Sequence, residues 1–284
     1  MNEIERVFSP SIDGSDINRI NRLAGIAPTQ VSAETLFVLK TARLFAEHSG
    51  GAFNPCIGPL VSLWGIGTEN ERVPAPAEID AALPLLDFHE LHIDDEMGTV
   101  FLAKAGMALD LGAIVKGYAA DEAARILREK GVKRAIIDLG GNITVLGGKQ
   151  TGILPGKEAP WHIGIQNPAE KRGIYSMIIP CRNTTLVTSG TYERFFEQGG
   201  KRYHHILSMK DGFPVDNELQ SVTIAGSLEG RPSASMFADA LSTSVFALGY
   251  TAGLTLLKEF PGFEAIFIFK GGEIRRAFSD DAFL

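Results

Sequence analysis

The sequence has no lysine and arginine run long enough to form a basic stripe, and its formal net charge at pH 7 is −7. A protein that grips nucleic acid through phosphates needs positive charge clustered on one face, so that class is excluded. Cysteine is scarce: Cys56 and Cys181 stand far apart and outside any C-x-x-C pair. They could form one bridge, but a thiolate metal site or a disulfide framework is excluded. No apolar run approaches the roughly 20 residues that a membrane-crossing helix needs, so no transmembrane segment is expected. The opening residues, MNEIERVFSPSIDG, lack the basic segment and apolar stretch of an export signal, so the chain as written reads as cytoplasmic. Both G-x-G-x-x-G and the Walker A lysine loop are absent, so a nucleotide that binds here is held in another way.

What is present describes a folded chain of some size. Its 284 residues are 45% hydrophobic and 21% charged, enough for one large domain or two intimate lobes. Helices are predicted over 16–23 and, after Ser32, over 33–49, with Gly50 and Gly51 as the stop. AFNPCIGPLVSLWGIG is rich in turn formers yet apolar, and is expected to be a buried or cleft-lining loop. A short helix near 77–86 precedes two strands, ELHID and TVFLA. A helix from about 115 to 130 is expected to bury Val115, Tyr118, Ala119, Ala123, Ile126 and Leu127, and Gly131 ends it. RAIIDLGGNITVLGG supplies two strands around a glycine turn. WHIGIQ, YSMIIP, TTLVTSG, RYHHIL and SVTIAGS then read as strands, followed by helices near 234–248 and 250–260 and a final strand pair. Strands and helices mix without regular alternation, which predicts an α+β fold instead of a doubly wound parallel sheet.

Five segments carry residues suited to chemistry. In MFADALSTSVFALG, Phe237, Leu241, Ser244, Val245 and Leu248 mark a buried helical face, while Asp239 and Thr243 stack one turn apart. A carboxylate and a hydroxyl so placed can give two oxygens to a hard cation such as magnesium. The bland alternative is an aspartate in the first turn that merely favours the helix dipole. In LDLGAIVKG, Asp110 lies between two leucines, where its charge needs a partner. Gly112 and Gly117 flank a helix start able to receive an anion, with Lys116 as a point charge for phosphate; an ordinary strand-to-helix turn fits the same residues. In RYHHIL the adjacent His204 and His205 face opposite ways, so one can pack while the other serves as acid or base. TSGTYE and DLGGN (Asp138 to Asn142) are small-residue turns that let a ligand approach the backbone, or simply hairpin turns.

The order of these segments is more informative than any one of them. From FSPSIDGSDINRINRLAG through GGAFNPCIGPLVSLWGIG, LDLGAIVKGYAADEAARIL, DLGGN, PWHIGIQNP, TSGTYERFF, HHIL with DGFPV, and SVTIAG with ADALSTSVFALG, the chain resembles the ApbE family of FAD:protein FMN transferases. The resemblance implies one catalytic domain over 1–284, an α+β fold related to the T-fold, with mixed and antiparallel sheets packed against helices in two intimate lobes. It implies a magnesium-dependent enzyme that cleaves FAD, releases AMP and links FMN by a phosphoester bond to a Ser or Thr of a target flavoprotein. Carried over by motif, Asp239 and Thr243 are magnesium ligands through their side chains and Ala113 through its carbonyl. Asn21, Ala52, Phe53, Asn54, Asp110, Lys116 and Ile206 are FAD contacts. His205 and Asp239 are the catalytic pair. A FAD diphosphatase keeps the same site with water as nucleophile, and a flavin-binding or trafficking protein keeps the site without turnover.

Three departures from the family pattern stand out. The usual D-P-x-T-G after the histidine is here Ser208, Met209, Lys210, Asp211 and Gly212, and F-D-P becomes Phe53, Asn54 and Pro55. Family members also open with a strand bearing an M-G-T-like motif, whereas this chain begins near the first helix. An edge strand with some flavin contacts is therefore expected to be missing, or to lie upstream along with any export signal or lipid anchor, since the family is often exported and membrane-anchored.

Overall fold

The computed structural model describes residues 2–151 and 158–278, which fall into two compact units. The first unit is Met1–Val115 with Thr191–Asn217, and the second is Lys116–Gly190 with Glu218–Leu284.

The chain starts in the first unit with α1 (Asn2–Phe8), α2 (Asp16–Arg22), β1 (Thr29–Gln30) and α3 (Ala33–His48). The Ser32 hydroxyl accepts the Thr35 N–H and caps α3, as its position before the apolar stripe predicts. The apolar stretch after Gly51 is not all loop: it contains α4 (Gly58–Trp64). Pro59 fits the first turn, where no N–H partner is needed, and Gly65 ends the helix at φ 59°. Glycine and proline at the ends of a single short helix gave the sequence its loop-like appearance. Next come α5 (Pro76–Ala82), a 3-10 turn at Leu83–Leu85, β2 (Leu91–Asp94) and β3 (Thr99–Leu102), the last two pairing with β1 in a sheet of order β1-β3-β2.

In the second unit, α6 (Val115–Glu129) is followed by β4 (Ala135–Asp138), β5 (Asn142–Leu146), β6 (Lys149–Gln150), β7 (Glu158–Ala159), β8 (Trp161–Gln166), β9 (Tyr175–Cys181) and β10 (Thr184–Gly190). The chain revisits the first unit for the hairpin β11 (Phe195–Gln198) and β12 (Lys201–His204), then returns for β13 (Leu219–Ser227), α7 (Ala234–Leu257), β14 (Phe263–Phe269) and β15 (Ile274–Phe278). Six strands form one antiparallel sheet of order β15-β14-β13-β10-β5-β4. The β8-β9 ribbon covers one face through Ile163, Ile165, Ile179 and Cys181, which pack on Val145, Leu186, Ala225 and Ile266. Helix α7 lies against β13 and β10, and α6 packs Ala120 and Ala124 toward Ile137 and Leu146. Strand β13 is buried along most of its length because it is covered on both sides. The architecture is mixed α+β with antiparallel sheets and helices, as expected.

Two sequence expectations about helices need correction. Of the residues expected inside, Tyr118 and Ala119 are buried and Val115, Ala123 and Leu127 half-buried, but Ile126 is 42% exposed, and the buried stripe of α6 also takes in Gly117, Ala120, Asp121 and Ala124. The stripe is set by how closely α6 approaches α7, which hydrophobicity alone does not report. Helix α7 is also long and apolar enough to cross a membrane by length and composition. With 56% of its apolar window buried inside the protein and a sheet packed along it, it passes that test as a core helix does. The two predicted helices are joined across Gly249, whose φ of 76° and ψ of 178° break the helical path between them.

Candidate functional site

In the second unit, α7 brings Asp239 into the core at 2% exposure. Burying a carboxylate is costly without donors, and it has two: the Gly117 N–H reaches Oδ2 at 2.9 Å and Lys116 Nζ lies 3.5 Å from Oδ1. Asp239 is the sixth residue of α7, so it does not serve its own first turn. It serves the first turn of α6, where Gly117 is the third residue. The Gly117 amide, at a helix start able to receive an anion, is taken by the protein's own carboxylate. One turn beyond Asp239, the Thr243 hydroxyl lies 3.2 Å from Ser189 Oγ, which also meets Ser242 Oγ at 2.8 Å. Ser189 comes from the TSG end of β10, so that segment joins the α7 stretch directly. All donors on this stretch are oxygens, the type that suits a hard cation. Among the described residues, no cluster of three or more His, Cys, Asp or Glu offers an alternative metal centre.

In the first unit, three of the singled-out segments meet. Asn21 clamps Leu109, its Nδ2 donating to the Leu109 carbonyl at 3.1 Å and its Oδ1 accepting the Leu109 N–H at 2.7 Å. The next residue, Asp110, donates its N–H to the Pro55 carbonyl at 2.9 Å, and the Gly58 N–H reaches the Ala108 carbonyl. A Cβ on Gly58 would stand 2.6 Å from that carbonyl oxygen, so only glycine permits the approach. Asp110 Oδ1 accepts the Gly112 N–H at 2.9 Å while Leu109 and Leu111 are buried, which answers the charge problem posed by its neighbours. Ala113 is half-buried in the turn before α6. Ala52 is half-buried and Phe53 packs on Phe45 with ring centroids 6.1 Å apart. The amide replacing the family's carboxylate is fully used: Asn54 Nδ2 donates to the Leu86 carbonyl and Oδ1 accepts the Cys56 N–H. A carboxylate could not make the first of these bonds.

The two histidines differ in burial, but β12 ends at His204, so His205 lies just beyond the strand that was expected to hold both. His204 is 7% exposed; its Nδ1 accepts the Ile206 N–H and its Nε2 lies 2.9 Å from the Val215 carbonyl, a pairing that requires the Nε2–H tautomer. His205 is half-buried, with Nδ1 3.2 Å from the Arg194 carbonyl, so its proton sits on Nδ1 and its basic lone pair on Nε2. Ile206 is buried and its carbonyl accepts the Val215 N–H. The altered turn after them is well formed. The Ser208 N–H reaches the Phe213 carbonyl at 2.7 Å, and Trp64 Nε1 donates to the Gly212 carbonyl at 2.7 Å.

A family model described as the ApbE family matches residues 1–267. The chain belongs to the ApbE family. This member is 41% identical over 278 residues to the FAD:protein FMN transferase of Treponema pallidum, covering 95% of this chain and 75% of that protein. It is 39% identical over 262 residues to a FAD:protein FMN transferase of Klebsiella pneumoniae, covering 92% and 77% of the two chains. The crystal structure of the ApbE protein of Thermotoga maritima superposes with a TM-score of 0.85 at 34% identity, covering 98% of this chain and 86% of that one.

Sequence reasoning about this ApbE-family chain missed Asp121. Its carboxylate is 9% exposed and accepts the Ser235 N–H at 3.0 Å and the Met236 N–H at 2.8 Å, the opening amides of α7. Burial pushes its pKa up to about 7, against the pull of those two amides. In the sequence it is one polar position of an amphipathic helix, and nothing local marks its partner. Ser235, whose hydroxyl donates to Asn142 Oδ1 and accepts from Thr185 Oγ1, was missed for the same reason.

Proposed function

We propose that this ApbE-family chain cleaves the diphosphate of FAD, transfers FMN to a serine or threonine of a target flavoprotein, and releases AMP. What carries the reading is the buried Asp239 carboxylate, beside Lys116 and one helical turn from Thr243, in a chain 41% identical to a protein named for that reaction. A magnesium ion held by the side chains of Asp239 and Thr243 and the carbonyl of Ala113 would neutralise charge on the breaking diphosphate as a Lewis acid. The oxygen-only donor set on α7 suits that ion, which takes few protein ligands and completes its shell with water and phosphate.

The remaining tasks belong to side chains. Lys116 supplies a positive charge for the FMN-side phosphate. Asn21, Ala52, Phe53, Asn54, Asp110 and Ile206 hold FAD in this reading; the clamp on Leu109 makes Asn21 a support for Asp110 at the least. His205, with its proton on Nδ1, offers Nε2 to the acceptor hydroxyl. The hydroxyl proton moves to that nitrogen as the new O–P bond forms, and the bridging P–O bond breaks toward AMP.

The test is incubation of the full chain with FAD, magnesium chloride and a candidate flavoprotein, followed by mass spectrometry. A phosphoester-linked FMN on Ser or Thr with matching AMP is expected, and Asp239→Ala should lose both. Wild-type turnover in that variant sinks the assignment of Asp239. Free FMN with AMP and no adduct identifies a diphosphatase, and unchanged FAD a binding protein.

A further inference from the structure

The two helices that begin at Val115 and Ala234 cap one another. Gly117 of α6 gives its N–H to Asp239 of α7, and Ser235 of α7 gives its N–H to Asp121 of α6. In each helix the donating amide precedes the carboxylate by four residues, so the contact is a near-symmetric exchange. A second amide, from Met236, completes the hold of Asp121 on the α7 terminus. Among the described residues, Ser233 at the N-cap makes no side-chain capping bond, so the first turn of α7 relies on a residue of another helix. The exchange requires close approach: a Cβ on Gly117 would fall on the Ser235 carbonyl oxygen and stand 2.5 Å from Met236 Cα.

We infer that Asp121 is a positioning residue for Asp239, an inference that rests on the metal-ligand reading of Asp239 proposed above. Asp239 lies one turn beyond the amides that Asp121 holds, on the same continuous stretch of α7. Its Oδ2 is fixed by the Gly117 N–H, which directs Oδ1 to the side where Lys116 stands. Releasing Asp121 frees the first turn of α7 to shift and removes the counterpart of the Gly117–Asp239 bond. The carboxylate then presents its oxygen to a cation in more than one orientation, and affinity falls before the fold is lost.

The experiment is Mn2+ binding to the full chain, followed by electron paramagnetic resonance at a temperature where every variant is folded. Wild type should bind Mn2+, and Asp121→Asn should bind it about ten-fold or more weakly, in the range usual for supports of metal ligands. Asp121→Glu keeps the charge but moves the carboxylate by one methylene, so it should also bind weakly; it serves as the reading if Asp121→Asn does not fold. Ala124→Gly, a core change on α6 that leaves the caps alone, should lower the melting temperature without changing Mn2+ affinity. The magnesium concentration for half-maximal FMN transfer should rise in Asp121→Asn while the rate at saturating magnesium approaches wild type. Wild-type Mn2+ affinity in either Asp121 variant, or an equal loss in Ala124→Gly, overturns the inference. A wild-type chain that binds no Mn2+ overturns the metal reading itself, and this inference with it.

Discussion

The side-chain amide of Asn21 closes on the backbone of Leu109 from both sides, donating to its carbonyl at 3.1 Å and accepting its N–H at 2.7 Å. Two residues far apart in sequence are thereby joined as one strand joins another. The bond pins the segment that carries Asp110.

Asn21→Asp should therefore destabilise the protein more than a surface change would. Its second oxygen would face the Leu109 carbonyl, and leaving that buried acceptor unmatched costs about 1–3 kcal/mol. Chemical denaturation measures the loss. FAD titration should show weaker binding at temperatures where the variant is fully folded, because Asp110 loses its anchor.

Gly117→Ala has a sign that discriminates. In an ordinary helix interior, glycine to alanine stabilises by about 1 kcal/mol. Here the added methyl meets the α7 backbone, and relieving that overlap costs about 1–3 kcal/mol. A lower melting temperature is expected, and a higher one would show that α6 and α7 are not in contact at Gly117.

Asp16 sets an acid limb. Burial acts to raise its pKa, but the Ser32 N–H, the hydroxyls of Thr35 and Ser32, and Arg19 outweigh it and hold the carboxyl below the ordinary 3.8. A depressed carboxyl contributes stability above its unfolded-state pKa and loses it as pH falls through the folded-state value. Urea unfolding between pH 6 and 2 should thus show a steeper acid loss for wild type than for Asp16→Asn. Parallel profiles would remove Asp16 from the account.

Much of the fold was legible because its signals are local. Ser32 before an apolar stripe, Gly131 after one, and β-branched runs between turn formers each act within a few residues, and α3, α6, β2 to β5, β8 to β10 and β13 to β15 appeared where these features placed them, whereas β1, β6, β7 and β11 carried no such signal. Helix α4 was hidden because Pro59 and Gly65, which punctuate a loop equally well, cap a helix of only seven residues. Ile126 was assigned to the wrong face because the buried side of α6 follows a backbone approach at Gly117, not the largest apolar side chains.

The sequence by itself determined the α+β class, the family resemblance and the pairing of Asp239 with Thr243, because helical periodicity places residues four apart on one side. Tertiary structure alone decided what Asp239 does at rest. It caps a different helix from its own, holds Lys116 near its second oxygen, and is matched by Asp121 doing the same in return. Those partners lie more than a hundred positions away, and hydrogen bonds at that separation leave no periodic trace in the chain.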